Sequence, residues 1–182
     1  GFVAFTSRGG NLSSADADNR NDVFRRQLSF APDRALPVCG GRTVTQLGTN
    51  RRDVIVGTER RDVIDGMGGN DVIKGMAGAD ILCGGAGKDR VNGGADNTGS
   101  SPYDRLFGGP GGDHLKLVEG GGSARGGPGN DVVVGSDTND SGDSLSGGLG
   151  NDVLRGLGNA DYNPDTLRGG PGNDDLFGGA DE

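Results

Sequence analysis

From residue 48 to the C-terminus, aliphatic residues recur with a basic period of nine, most of them two places after an aspartate. The column reads Ile55, Ile64, Ile73, Leu82, Val91, Leu106, Leu115, Ala124, Val133, Leu145, Leu154, Leu167 and Leu176. It stays apolar even where the residues before it are altered. In a triplet such as Val72-Ile73-Lys74 the aliphatic residue is the middle one, which suits a very short strand with its centre turned inward. Between triplets lie six glycine-rich residues. The clearest copies are GMGGNDVIK from Gly66, GMAGADILC from Gly75, GGAGKDRVN from Gly84, GGPGGDHLK from Gly108, GGPGNDVVV from Gly126, GGLGNDVLR from Gly147 and GGPGNDDLF from Gly169. Glycine at places one, two and four allows positive φ and close backbone approach, so the six residues predict a tight turn. Turn and strand at a fixed short period predict an all-β solenoid.

The sixth place adds chemistry to this frame. It holds Asp53, Asp62, Asp71, Asp80, Asp89, Asp113, Asp131, Asp152 and Asp174. Stacked turns would set these carboxylates and the turn carbonyls in rows about 4.8 Å apart. Such rows call for a hard cation, and an all-oxygen, flexible donor set favours Ca²⁺ over zinc or copper.

The pattern G-G-x-G-x-D-x-U-x, with U aliphatic, resembles the repeats-in-toxin (RTX) or haemolysin-type calcium-binding family over about three quarters of the chain. The resemblance implies a right-handed parallel β-roll that binds several Ca²⁺ ions. Its ligands would be Asp71, Asp80, Asp89, Asp113, Asp131, Asp152 and Asp174, with carbonyls of the same turns at Gly66, Gly68, Gly84, Gly108, Gly126, Gly147 and Gly169. Two consecutive repeats make one coil in such rolls, so alternate repeats stack. One side then takes the turns from Gly48, Gly66, Gly84, Gly108, Gly126, Gly147 and Gly169, all but the first intact. The other takes those from Gly57, Gly75, Gly93, Leu117, Gly135, Gly156 and Gly178, where only Gly75 opens a clean copy. One continuous calcium ladder and one ornamented edge are expected.

The insertions GGADNTGSSPYD, GSDTNDSGD and GLGNADYNPD all fall on that edge and end in Asp104, Asp143 and Asp165, which are secondary metal candidates. Asp137, Asn139, Asp140 and Asp143, or Asp161, Asn163 and Asp165, offer oxygens for further metal or form solvated loops. LVEGGG from Leu117 has no aspartate. GTNRRD and GTERRD place arginines where a small residue is expected. Arginine at positive φ is costly and its charge opposes Ca²⁺, so Asp53 and Asp62 are weaker candidates and their coils are expected to cap the roll.

Composition changes before Gly48. Residues 1–30 read as a β-hairpin and resemble one segment of a TolB-like β-propeller through Phe5, Ser7, Asn11, Leu12, Asp16, Asn19, Asp22, Val23 and Phe24. Asp16, Asp18 and Asp22 there fit a cation or a hydrogen-bonded turn. Residues 31–47, with Pro32 and Pro37, read as a linker and N-terminal cap, and 48–182 as the roll.

Net charge of −8 and a pI near 4.6 disfavour nucleic acid or an anionic membrane as partner. No apolar run approaches a membrane span, and no signal peptide is visible. The one histidine, His114, rules out H-E-x-x-H, and no G-x-S-x-G occurs, so no catalytic set is expected. With 40 glycines and one core residue per repeat, the apo chain is expected to be largely disordered. Weak calcium sites, with Kd about 10⁻⁴–10⁻³ M, would be empty at cytosolic calcium, which points to an extracellular or cell-surface setting. There Cys39 and Cys83 are candidates for a disulfide. The expected function is a secreted calcium-binding structural module that folds on Ca²⁺ after export. Its alternatives are the C-terminal part of a larger secreted toxin, hydrolase or adhesin, and, less favoured, a carbohydrate-binding roll. The outward positions are too mixed for ice binding.

Overall fold

A computed structural model describes residues 37–95, 103–137, 142–157 and 164–179. The hairpin or propeller-like segment expected over 1–30, the first part of the linker, and Asn139, Asp140, Asp161 and Asn163 lie outside the described residues. The described chain opens with β1 (Val38–Cys39) and β2 (Arg42–Thr43), an antiparallel pair. Gly40 and Gly41 join them with φ of 55° and 80°, the left-handed pair that a two-residue hairpin turn needs.

The repeat builds the rest. One parallel sheet stacks β4 (Val54–Val56), β6 (Val72–Ala77), β8 (Arg90–Ala95), β10 (His114–Lys116), β12 (Val132–Val134), β14 (Val153–Arg155) and β16 (Asp175–Phe177). The other stacks β3 (Gln46–Leu47), β5 (Val63–Asp65), β7 (Ile81–Cys83), β9 (Arg105–Phe107), β11 (Ser123–Pro128), β13 (Ser144–Leu149) and β15 (Thr166–Arg168). Successive strands alternate between the sheets, so two nonapeptides form one coil of a parallel β-roll. Among the described residues there is no helix.

Register follows the aliphatic column and ignores insertions. Ile55 pairs with Ile73 and Ile73 with Val91, each 18 residues on. Val91 then pairs with Leu115 across the longer coil, still column to column. A one-residue slip would turn that whole column outward, so burial fixes the register.

The column forms two facing stacks of buried side chains, one from each sheet, from Ile64 and Ile73 to Leu145 and Leu154. Each burial contributes roughly 1.5–3 kcal/mol. The file opens at its ends: Ile55 and Leu167 are partly buried, and Leu176 is exposed. A second, smaller cluster lies on the outer face of the second sheet. There Cys39 packs with Val63 and Ile81, beside Val44, Cys83 and Phe107. A disulfide joins Cys39 to Cys83 with Cα atoms 5.9 Å apart. The hairpin thus lies down on the sheet, and the outward place of Cys83 is what lets the bond form.

Candidate functional site

Turn shape comes from glycine at two places. In the turn from Gly84, Gly85 and Gly87 have φ of 101° and 143°, and the turns from Gly108, Gly126, Gly147 and Gly169 repeat this at places two and four. Met67 and Met76 take place two with φ of 71° and 86°, a strained setting for a side chain. The first glycine serves a different need. A Cβ on Gly66 would lie 2.6 Å from Oδ2 of Asp71, so its absence makes room for the carboxylate of the same turn.

Each such carboxylate has two unequal oxygens. Oδ1 accepts the backbone N–H of the acid one coil earlier: Asp53 N–H to Asp71, Asp71 to Asp89, Asp89 to Asp113, Asp113 to Asp131, Asp131 to Asp152, and Asp152 to Asp174, at 2.8–3.0 Å. The second side repeats the rule from Asp62 N–H to Asp80, Asp80 to Asp104, Gly122 to Asp143 and Asp143 to Asp165, at 2.8 Å. Oδ2 is buried and accepts no hydrogen bond at Asp71, Asp89, Asp113, Asp131 and Asp152 on the first side, and at Asp165 on the second.

Burying a carboxylate away from water is costly, and it shows in the acid strengths, including that of Asp143, which accepts hydrogen bonds and is still raised to about 6 by burial. Burial pushes Asp113 up to about 7 from 3.8; the Asp89 amide opposes this, and the charges of Asp89 and Asp131 add to it. Asp131 is raised to about 6 by burial, against the Asp113 amide and with the Asp152 charge. Burial also raises Asp71, Asp89 and Asp152. A cation at these oxygens would supply the missing partner and remove the penalty.

Three turns meet the same need without a cation. Oδ2 of Asp53 accepts the Thr49 N–H at 2.7 Å and the Thr49 hydroxyl at 2.8 Å. Oδ2 of Asp62 accepts the Thr58 N–H and hydroxyl at 2.6 and 2.9 Å, and Oδ2 of Asp143 the Ser136 N–H and hydroxyl at 2.6 and 3.1 Å. A hydroxyl residue at place two therefore staples its own acid. This corrects the reasoning about Arg51 and Arg60: neither sits at positive φ, and what distinguishes these turns is the preceding threonine. A fourth turn exchanges residues. Leu117 stands at place one and Gly122 at place six, and a Cβ on Gly122 would lie 2.7 Å from a Leu117 methyl. The buried leucine fills the space of the carboxylate.

The remaining candidates fall as follows. Asp80 and Asp104 are buried within the second ladder, Asp174 is half-buried at the end of the first, and Asp137 is exposed. The carbonyls of Gly108, Gly126 and Gly169 each accept one amide from the preceding coil, at 2.8–2.9 Å, leaving one lone pair. Among the described residues no three acidic, histidine or cysteine side chains converge, so any cation must draw heavily on backbone carbonyls. His114 sits in a shallow hollow with Lys74, Arg90 and Lys116 on the outer face of the first sheet. An asparagine ladder at place five was missed: Asn70 Oδ1 accepts Lys88 N–H, Asn130 accepts Asn151 N–H and Asn151 accepts Asn173 N–H, all at 2.9 Å. Its signal was the recurrence of Asn before Asp.

These turns present oxygen only, fixed by backbone stacking and deficient in positive charge, which fits a hard cation. A family model described as the RTX calcium-binding nonapeptide repeat matches residues 47–82, 65–98, 119–141, 137–162 and 164–182. No curated protein and no solved structure matches the chain.

Proposed function

The chain belongs to the RTX calcium-binding nonapeptide repeat family, and on that premise we propose that its Ca²⁺ ions sit chiefly along the first side, at Asp71, Asp89, Asp113, Asp131 and Asp152. The observation that carries this is the unbroken run of five buried carboxylates, each with one oxygen lacking a donor. Calcium takes six to eight oxygens, so carbonyls of the same turns, those of Gly66, Gly68, Gly84, Gly108, Gly126, Gly147 and Gly169 included, would complete each site. Asp174 continues the run at its end, and Asp165, Asp80 and Asp104 offer further positions on the second side. Asp53, Asp62 and Asp143 are satisfied by Thr49, Thr58 and Ser136 and act as structural hydrogen-bond acceptors instead.

The function we assign is that of a secreted structural module whose folding is driven by Ca²⁺ outside the cell. Support comes from the thin core, one inward column from each sheet, set against uncompensated buried acids that a cation relieves. The β-roll of this family is a structural calcium-binding fold, and we assign the chain no catalysis of its own. Among the described residues no helix is long and apolar enough to cross a membrane.

Calcium stoichiometry measured by isothermal titration calorimetry tests the placement. Asp113→Asn should lower the number of bound ions and the cooperativity, whereas Asp62→Asn should leave the number unchanged. Equal loss from both substitutions would sink the distinction between open and stapled turns.

A further inference from the structure

The hairpin covers the outer face of the second sheet only as far as Phe107. Beyond it, among the described residues, the same face is open and forms a groove of about 620 Å³ where the sheet bends into the first-side turns. One wall is the outward column Phe107, Arg125, Ser146 and Arg168. The other is Pro128, Leu149 and Pro171, standing on a floor of turn glycines. The size is that of a ligand site, and its character is an apolar surface with a few polar groups. Among the described residues no acidic one lines it, although the protein as a whole carries −8. Among the described residues no carboxylate pairs with Arg125 or Arg168. Arg105 and Arg155, by contrast, stack on Phe107 and Phe177 at 5.4 Å.

We propose that this groove binds an acidic polysaccharide lying along the roll axis, with carboxylates on Arg125 and Arg168 and pyranose faces on Pro128, Leu149 and Pro171. Two rungs separate the arginines, about 10 Å at the spacing of stacked strands. Carboxylates on every second sugar unit match that repeat, and a guanidinium holds a carboxylate with two parallel hydrogen bonds. Ser146 lies between the arginines to take a hydroxyl.

The direction of the groove argues against a peptide. A chain along the axis crosses the strands, where amides such as those of Gly109 and Gly148 already bond to the next coil. A peptide backbone there would lose water without gaining a ladder, whereas sugar hydroxyls can keep facing solvent. The opposite wall belongs to the turns that end in Asp131, Asp152 and Asp174, so ligand binding rests on the calcium-ordered turns proposed above. It should strengthen as Ca²⁺ is added and weaken with salt.

The test is calorimetric binding of hyaluronate oligosaccharides, one carboxylate per disaccharide, to the full calcium-loaded chain. Neutral chito-oligosaccharides and poly-glutamate serve as comparisons, with far-UV circular dichroism of every variant at saturating calcium. Arg125→Gln with Arg168→Gln should weaken hyaluronate binding at least about tenfold with the β-signal intact. Arg155→Gln, outside the groove, should not. Chito-oligosaccharides should not bind. No hyaluronate binding by a chain with a normal calcium-dependent β-signal, or equal binding by the double variant, overturns the groove alone. Tighter binding of poly-glutamate would reassign it to acidic peptides. Loss of the calcium-dependent β-signal itself would instead overturn the calcium reading.

Discussion

Cutting the bond between Cys39 and Cys83 probes how the cap and the roll share their stability. The bond spans a sequence separation of 44. For a closed loop of that size the lost chain entropy of the unfolded state corresponds to about 4 kcal/mol. The bond ties the hairpin to β7, next to coils whose acids are stapled by Thr49 and Thr58. Without it, calcium must supply the difference. Spread over about five ions taken up in one concerted folding step, one for each open first-side acid, the loss is about 0.8 kcal/mol per ion. That raises the calcium concentration at half-folding about fourfold. The assay is a calcium titration of the double variant Cys39→Ser with Cys83→Ser, followed by far-UV circular dichroism beside the oxidised wild type. Wild type treated with a dithiol should match the variant. An unchanged midpoint would refute the reasoning, because the hairpin would then be energetically separate from the roll.

Other perturbations separate the remaining effects. Thr58→Ala removes the hydroxyl from the largely buried Asp62 carboxylate and should destabilise the N-terminal coils by about 1–3 kcal/mol; chemical denaturation at saturating calcium measures it, with bound calcium unchanged. Leu115→Ala opens a cavity in the narrow core and should cost about 2–5 kcal/mol, whereas Phe177→Ala, at an exposed site, should cost little. Acidity should act in opposite senses with and without metal. Asp113 near 7 and Asp131 near 6 bind protons more tightly in the folded than in the unfolded chain. In EDTA their contribution is therefore full below about pH 4 and lost as pH rises through 6 to 7. With calcium bound, protons compete for the same oxygens, so acidification through that window should lower the melting temperature; far-UV circular dichroism of the EDTA-treated chain, whose β-signal should rise on acidification through the same window, and thermal melts in calcium check both signs.

The roll was legible because its two strongest signals are periodic. Ile73, Val91 and Leu115 must face inward at every coil, and Gly85 or Gly87 at positive φ leaves few other backbone paths. The staples were harder to see. Thr49 and Thr58 carry no periodic signal beside the arginines, and only the carboxylate geometry shows that a hydroxyl at place two supplies a donor. The Leu117 and Gly122 exchange hid for a similar reason, since each residue departs from the pattern alone and makes sense only as a pair. The hairpin of residues 38–43 falls inside the stretch 31–47 that reads as a linker and N-terminal cap. Two-residue strands carry no alternation, so the Gly40-Gly41 turn was the one mark of the hairpin.

The most direct measurement of the central claim is a far-UV circular dichroism titration of EDTA-treated protein with Ca²⁺, and with Mg²⁺ in parallel. The expected result is a cooperative coil-to-β transition at about 10⁻⁴–10⁻³ M Ca²⁺ that Mg²⁺ does not produce. Full β-structure in EDTA, or an equal response to Mg²⁺, would contradict it.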